Sequence, residues 1–139
     1  MVVTLMAIVA GLSYPSAAAG VDSLRLRSAA DRVVAFLNTA IDRAGRRQQV
    51  VEIRIAPAEN ALAARSADAS FERSLELPDM MRITSVEPAL TGDSGEQRRF
   101  LIYPGGTAPR ISIELESKDG RKRRVTVDPL TGMPHAEAE

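Results

Sequence analysis

From Met1 to Val21 the chain carries no charged side chain; Pro15 interrupts this run, and Asp22 then opens a polar segment. An uncharged stretch of about 20 residues is long enough to cross the hydrocarbon core of a bilayer as a helix. No Gly/Ser linker separates it from the polar segment, so a membrane helix and a soluble domain can share one continuous helix. A cleaved secretory signal is the competing reading, because Ala17-Ala18-Ala19 before Gly20 supplies the small residues a signal peptidase needs. Against it, no Lys or Arg occurs before Arg25, whereas a signal peptide normally opens with positive charge. Both readings place the remainder outside the cytoplasm and differ on whether it stays tethered.

The remainder is the size of one small domain with a single core. Lys plus Arg equals Asp plus Glu at 18 each, so no global field draws the chain to nucleic acid or to an anionic membrane surface. The absence of Cys excludes a disulfide framework and thiolate metal sites. Aromatic residues are scarce, which argues against a stacking platform for bases or sugars.

Beyond Val21, apolar residues at Leu26, Ala30, Val33, Leu37, Ala40, Ile41 and Ala44 recur in steps that sum to one helical face. Arg27, Asp31, Asn38, Asp42 and Arg46 lie opposite, with Arg27/Asp31 and Asp42/Arg46 spaced for surface ion pairs. Gly45, followed by Arg46-Arg47, is expected to end the helix through a left-handed cap. After Gln49 the period becomes two. Val51, Ile53 and Ile55 alternate with Glu52, Arg54 and Ala56; Pro57 to Asn60 reads as a turn and Ala61 to Ser66 as a return strand. Further strands are predicted at Phe71 to Leu77, Met81 to Val86, Arg99 to Tyr103, Arg110 to Glu116 and Arg123 to Val127, with Asp119-Gly120 at the tip of the last hairpin. The segment Ala89 to Gln97 is expected to be a mobile loop. Short strands with tight turns predict an α+β domain: a long N-terminal helix, hydrophobic in residues 1–20 and amphipathic in 21–48, packed on a small antiparallel sheet over 49–139.

This layout resembles that of type IV pilin-like proteins, and several stretches carry the resemblance. Leu5-Met6-Ala7-Ile8-Val9-Ala10-Gly11-Leu12 followed by Tyr14-Pro15 is similar to the membrane half of a pilin helix. Leu26 to Ala30 and Ala40 to Gly45 resemble the family's lead into its first strand. Phe100 to Gly106 with Ile111-Ser112-Ile113, then Arg124 to Asp128 and Leu130-Thr131-Gly132, resemble the end of the H-type minor pseudopilins of type II secretion. The family's entry signature, G-F-T-L-x-E, is missing, and Met1 to Leu5 resembles the stretch just after its glutamate; the expected cause is a start assigned too late, or a mature or trimmed product. The resemblance implies a methylated, non-enzymatic structural subunit of a secretion pseudopilus in protein transport across the outer membrane. It would be held as a single-pass protein in a bacterial inner membrane with its sheet domain in the periplasm. Its implied partners are other pseudopilins, the membrane and secreted cargo, with no cofactor. Leu5, Ile8, Val9, Leu12 and Tyr14 would then contact neighbouring helices, Pro15 would let the helix bend, and Leu26, Val33, Leu37 and Ile41 would hold the sheet.

Several other residues invite a functional reading. Arg121, Lys122, Arg123 and Arg124 form the densest basic cluster, beside a hairpin tip, and with Gly120 resemble an element of a DNA-binding minor pilin that serves natural transformation. A solvated strand edge whose charges oppose aggregation explains them more simply. Asp93 and Glu96 lack the density of a calcium loop. Glu114 and Glu116 share a strand face and read as solvated rather than as an acid/base pair. His135 falls in a tail expected to fray. Gly105-Gly106 reads as a turn, since no helix succeeds it to make it a phosphate loop. No nucleophile elbow or His cluster is present. The alternatives to a pseudopilin are a DNA-contacting minor pilin and a periplasmic binding module released after Ala19.

Overall fold

The structure, a computed structural model, describes residues 2–88, 97–105 and 108–138, and side chains from Ser23 onward. Among the described residues one α-helix, α1 (Val2–Arg47), is followed by eight strands: β1 (Val51–Ala56), β2 (Ala61–Ser66), β3 (Glu72–Glu76), β4 (Met81–Glu87), β5 (Arg98–Ile102), β6 (Ile111–Ser117), β7 (Lys122–Val127) and β8 (Pro134–Ala138). At about 1.5 Å per residue, the 46 residues of α1 span roughly 70 Å. The fold is α+β, a helix packed on antiparallel strands.

The strands form two sheets rather than the single one expected: β3-β2-β1-β5 and β4-β6-β7-β8, each antiparallel throughout. The chain leaves the first sheet after β3, lays down β4 in the second, returns for β5 beside β1, and crosses again to finish the second with β6 to β8. Alternation along a strand says which side chains point inward, not which sheet the strand joins. Ile53, Ile55, Ile113, Leu115, Val125 and Val127 are buried in one core together with Val33 and Leu37 of α1.

Asn60 ties the two sheets. It comes after the 3-10 turn Pro57–Glu59 in a left-handed conformation (φ 55°), which Asn tolerates better than most residues. Its amide nitrogen donates to the Met81 carbonyl at 2.6 Å, and its amide oxygen accepts from the Ile83 N–H at 3.1 Å. One side chain therefore satisfies two backbone groups at the start of β4.

Two expectations are corrected. α1 ends not through a left-handed Gly45 but at Gln48, whose φ is 52°, while Gly45 stays inside the helix. The Gln48 amide donates back to the Gly45 carbonyl at 2.7 Å, and Gln49 N–H to the Ala44 carbonyl at 3.2 Å, covering carbonyls the last turn leaves open. The tail holding His135 does not fray but forms β8, an edge strand on β7 with Thr126 opposite His135. Pro134 and Ala136 face inward, and inward residues this small leave little hydrophobic signal. The expected loop 89–97, with Asp93 and Glu96, lies outside the described residues except for Gln97.

Candidate functional site

Three surfaces could carry function: the face of α1, the β6–β7 hairpin and the outer faces of the sheets. On α1, Leu26, Ala29, Ala30, Val33, Leu37, Ala40 and Ala44 are buried, a stripe with period between three and four. Ile41 sits at its border, partly buried. Four alanines in the stripe let the helix approach closely over β7 and β8, and it also contacts β1, β5 and β6. Leu5, Ile8, Val9, Leu12, Tyr14 and Pro15 precede the residues whose side chains are described; the backbone of α1 runs through residue 15 without a break. Among the described residues no helix is long and apolar enough to cross a membrane.

The basic cluster on the hairpin is divided rather than continuous. Gly120, at φ 86°, supplies the left-handed turn residue. Arg121 pairs with Asp119 at 3.1 Å, and Lys122 and Arg124 reach Glu114 at 3.6 and 3.4 Å across the β6–β7 ladder. Arg123 lies on the opposite face of β7 from Lys122 and Arg124 and lines a cavity of about 420 Å³ together with Arg121, Lys122 and Ser23 and Leu26 of α1. Lys122 and Arg124 are drawn to Glu114 on the other face, so strand alternation splits the cluster between two faces.

Glu114 differs from the solvated residue expected. Its side chain is only 14% exposed, receives the Thr84 hydroxyl at 2.9 Å and lies between Lys122 and Arg124. Thr84 falls at a register shift in β4, which aims its hydroxyl at the carboxylate. These partners lie 8 to 30 residues away and depend on strand register, which local sequence does not reveal. Glu116 is half-buried on the same strand.

Two further carboxylate sites combine partners two residues away with distant ones. On the outer face of the first sheet, Glu52 accepts from Arg99 Nη2 at 2.8 Å and from Arg54 Nε. The Arg99 and Arg54 hydrogen bonds pull the Glu52 carboxyl down to about 2. In the β2–β3 turn, Asp68 accepts from Ser70 Oγ at 2.7 Å, Ser70 N–H at 3.1 Å, Ser66 Oγ at 2.8 Å and Gln49 Nε2 at 2.6 Å, which holds its carboxyl far below the usual range. Asp119 is lowered too, chiefly by the Ser117 hydroxyl. All three are driven toward permanent ionisation, the reverse of what a general acid needs near neutral pH. A cavity of about 750 Å³ forms a polar trough across the outer face of the second sheet. The Ser112 and Thr126 hydroxyls lie 3.2 Å apart along it, and His135 lies 3.2 Å from Glu137 at one side. Among the described residues no group of three or more His, Asp or Glu side chains is placed to hold a metal ion.

This arrangement of helix and sheets has a counterpart of known structure. The chain superposes on the minor pseudopilin EpsH from the Type 2 Secretion System of Vibrio cholerae with a TM-score of 0.63, over 82% of this chain and 97% of that one, at 15% identity. The two share a fold. No protein-family model matches the sequence, and no curated protein matches it either.

Proposed function

We propose that this protein is a minor pseudopilin, a structural subunit of a type II secretion pseudopilus that joins its neighbours through the N-terminal half of α1 and displays the two-sheet domain outward. The observation that carries the reading is the fold likeness to EpsH over nearly its whole length, reached from a sequence whose first 21 residues are uncharged. The physical logic is that one apolar helix half serves two solvents, lipid before assembly and the packed helices of a fibre after it. In this reading Leu5, Ile8, Val9, Leu12 and Tyr14 contact neighbouring helices, Pro15 lets the helix bend on leaving the membrane, and the domain lies in the periplasm on a single inner-membrane anchor. The subunit has no chemistry of its own.

The test is incorporation into pseudopili of the source cell. Ile8→Asp should abolish co-purification with the fibre while the domain keeps its native protease resistance; normal incorporation would overturn the proposal. Mass spectrometry of the native N-terminus separates the remaining readings. A methylated residue upstream of Met1 supports the pseudopilin, and a terminus at Gly20 supports a released periplasmic module. Salt-sensitive DNA binding lost on neutralising Arg121 and Arg123 would favour the DNA-contacting minor pilin instead.

A further inference from the structure

Where the uncharged N-terminal run of α1 gives way to its amphipathic part, the helix and the β6–β7 hairpin enclose a cavity of about 420 Å³. Ser23 and Leu26 line it from the helix, and Gly120, Arg121, Lys122 and Arg123 from the hairpin. Three of these side chains are cations, and no carboxylate is among the described lining. Two further cations gather at the same end. Arg25 Nη1 reaches the Met80 sulfur at 3.0 Å, and the Met80 carbonyl accepts from the N–H of Lys118 in the hairpin at 3.2 Å. The chain as a whole is neutral, so this excess of positive charge is local.

Arg123 is set apart within this group. It belongs to the inward row of β7 with Val125 and Val127, both fully buried, and is itself partly buried. Arg121 pairs with Asp119 and Lys122 reaches Glu114, whereas Arg123 makes no hydrogen bond or ion pair among the described residues. A guanidinium that has given up part of its hydration regains it from an anion through charge-assisted hydrogen bonds. Position along α1 says which anion is at hand. Ser23 stands about 3 Å along the helix axis beyond Val21, the last residue of the uncharged run. With that run across the hydrocarbon core, the cavity lies at the level of the lipid headgroups, a layer about 5–7 Å deep.

We propose that this cavity holds the phosphate of an anionic phospholipid headgroup, with Arg123 as its main ligand and Arg121 and Lys122 at its rim. The inference rests on the reading of the first 21 residues as a membrane segment. Basic side chains close to a bilayer surface are drawn to anionic lipids, and the arginine fork matches phosphate oxygens in shape as well as in charge. Nucleic acid is the rival polyanion. A duplex fits this place poorly, because its backbone would have to enter between helix and hairpin at a level that the bilayer surface already fills.

Native mass spectrometry of the full chain, in nanodiscs of phosphatidylcholine and phosphatidylglycerol in equal amounts, tests the site. Lipid retained on the protein should be enriched in phosphatidylglycerol by about fivefold, the effect of one cation near a charged surface. Arg123→Gln should bring the two lipids close to parity, and Arg123→Lys, which keeps the charge, should keep most of the enrichment. Arg65→Gln, exposed on the outer face of the first sheet, should leave it unchanged. Flotation of the full chain with phosphatidylcholine vesicles tests the anchor separately. A chain that does not float loses the membrane reading and the headgroup site together, whereas one that floats and retains both lipids equally loses the site alone. An enrichment that survives Arg123→Gln overturns the proposal, because the lipid is then held elsewhere. So does one that inorganic phosphate removes at constant ionic strength, which assigns the cavity to a free anion. Retention of duplex DNA by the nanodisc-bound chain, lost in Arg123→Gln, would overturn it in favour of nucleic acid.

Discussion

The centre of the second sheet and the edge of the first obey the same geometry and differ in what it does for them. In β6, Ile111, Ile113, Leu115 and Ser117 are buried at every second position, with Ser112, Glu114 and Glu116 half-buried between them. In β3 the same alternation leaves four of five residues exposed and only Leu75 half-buried. β6 lies between two strands and under α1, whereas β3 pairs only with β2 among the described residues. Period two therefore specifies orientation, and position in the sheet decides how much that orientation buries. The charged side chains of β3 suit an edge that must not recruit further strands.

The largest consequence of that contrast is in truncation. Ile113→Ala empties a site that is fully buried on a strand paired on both sides, and should cost about 2–5 kcal/mol in urea unfolding of the full chain. Leu75→Ala removes a similar volume from β3 and should cost about 1 kcal/mol, since much of that side chain already meets water. Equal losses at the two positions would mean that β3 is covered by something not seen in this chain.

Asn60 is where the two sheets are coupled, and Asn60→Ala should be the next most damaging change, at about 1–3 kcal/mol. It strands the Ile83 N–H and the Met81 carbonyl, and it puts a residue that disfavours left-handed backbone at φ 55°. Asn60→Gly separates the two effects, because it relieves the backbone and still loses both hydrogen bonds. If the glycine variant matches wild type, the Asn60 bonds to β4 contribute nothing, and the sheets are joined by packing and by the Arg98 Nη1 bond to the Val86 carbonyl at 3.2 Å.

Much of the fold is legible from local pattern. Val51, Ile53 and Ile55 announce β1, Asp119-Gly120 marks the β6–β7 turn, and the stripe from Leu26 to Ala44 marks the buried side of α1, because each signal is contained within one element. What escapes local pattern depends on pairing between distant segments. β8 is built from Pro134, His135, Ala136, Glu137 and Ala138, which have low strand propensity and are held in place by the ladder to β7. The same holds for Glu114, whose basic and hydroxyl partners come from β7 and β4, and for Glu52, whose second arginine arrives on β5. The left-handed residue after α1 is expected at the nearest glycine and lies three residues on, at Gln48, where the side chain's bond to the Gly45 carbonyl accompanies the strained φ.

Glu52 extends the comparison to the outer faces. Its folded pKa is lowered, from about 4.5 to about 2, so the stability it adds is fully present above about 4.5 and is lost as pH falls toward 2. Arg54 and Arg99 are 44% and 63% exposed, and solvent screening keeps the contribution to about 1 kcal/mol. Glu52→Gln should therefore be less stable than wild type at pH 7 by about that amount, with the gap closing as pH falls to 2. A gap independent of pH would assign the effect to packing rather than charge.

The Arg46–Asp42 pair on α1 sets the lower limit of the series. It is expected from spacing alone and does form, at 3.0 Å, but its side chains are 79% and 57% exposed. Both groups keep most of their hydration, the approach gains little in a medium that screens it, and holding two flexible side chains together costs entropy. Asp42 also precedes Arg46 by one turn, near the negative end of the helix dipole, which disfavours the acid slightly while favouring the arginine. Asp42→Asn should thus change stability by no more than about 0.5 kcal/mol, and raising salt from about 0.05 to about 1 M should alter wild type and variant almost equally. A loss as large as the one expected at Glu52 would show that this face of α1 is shielded from water, as it would be if a partner lay across it.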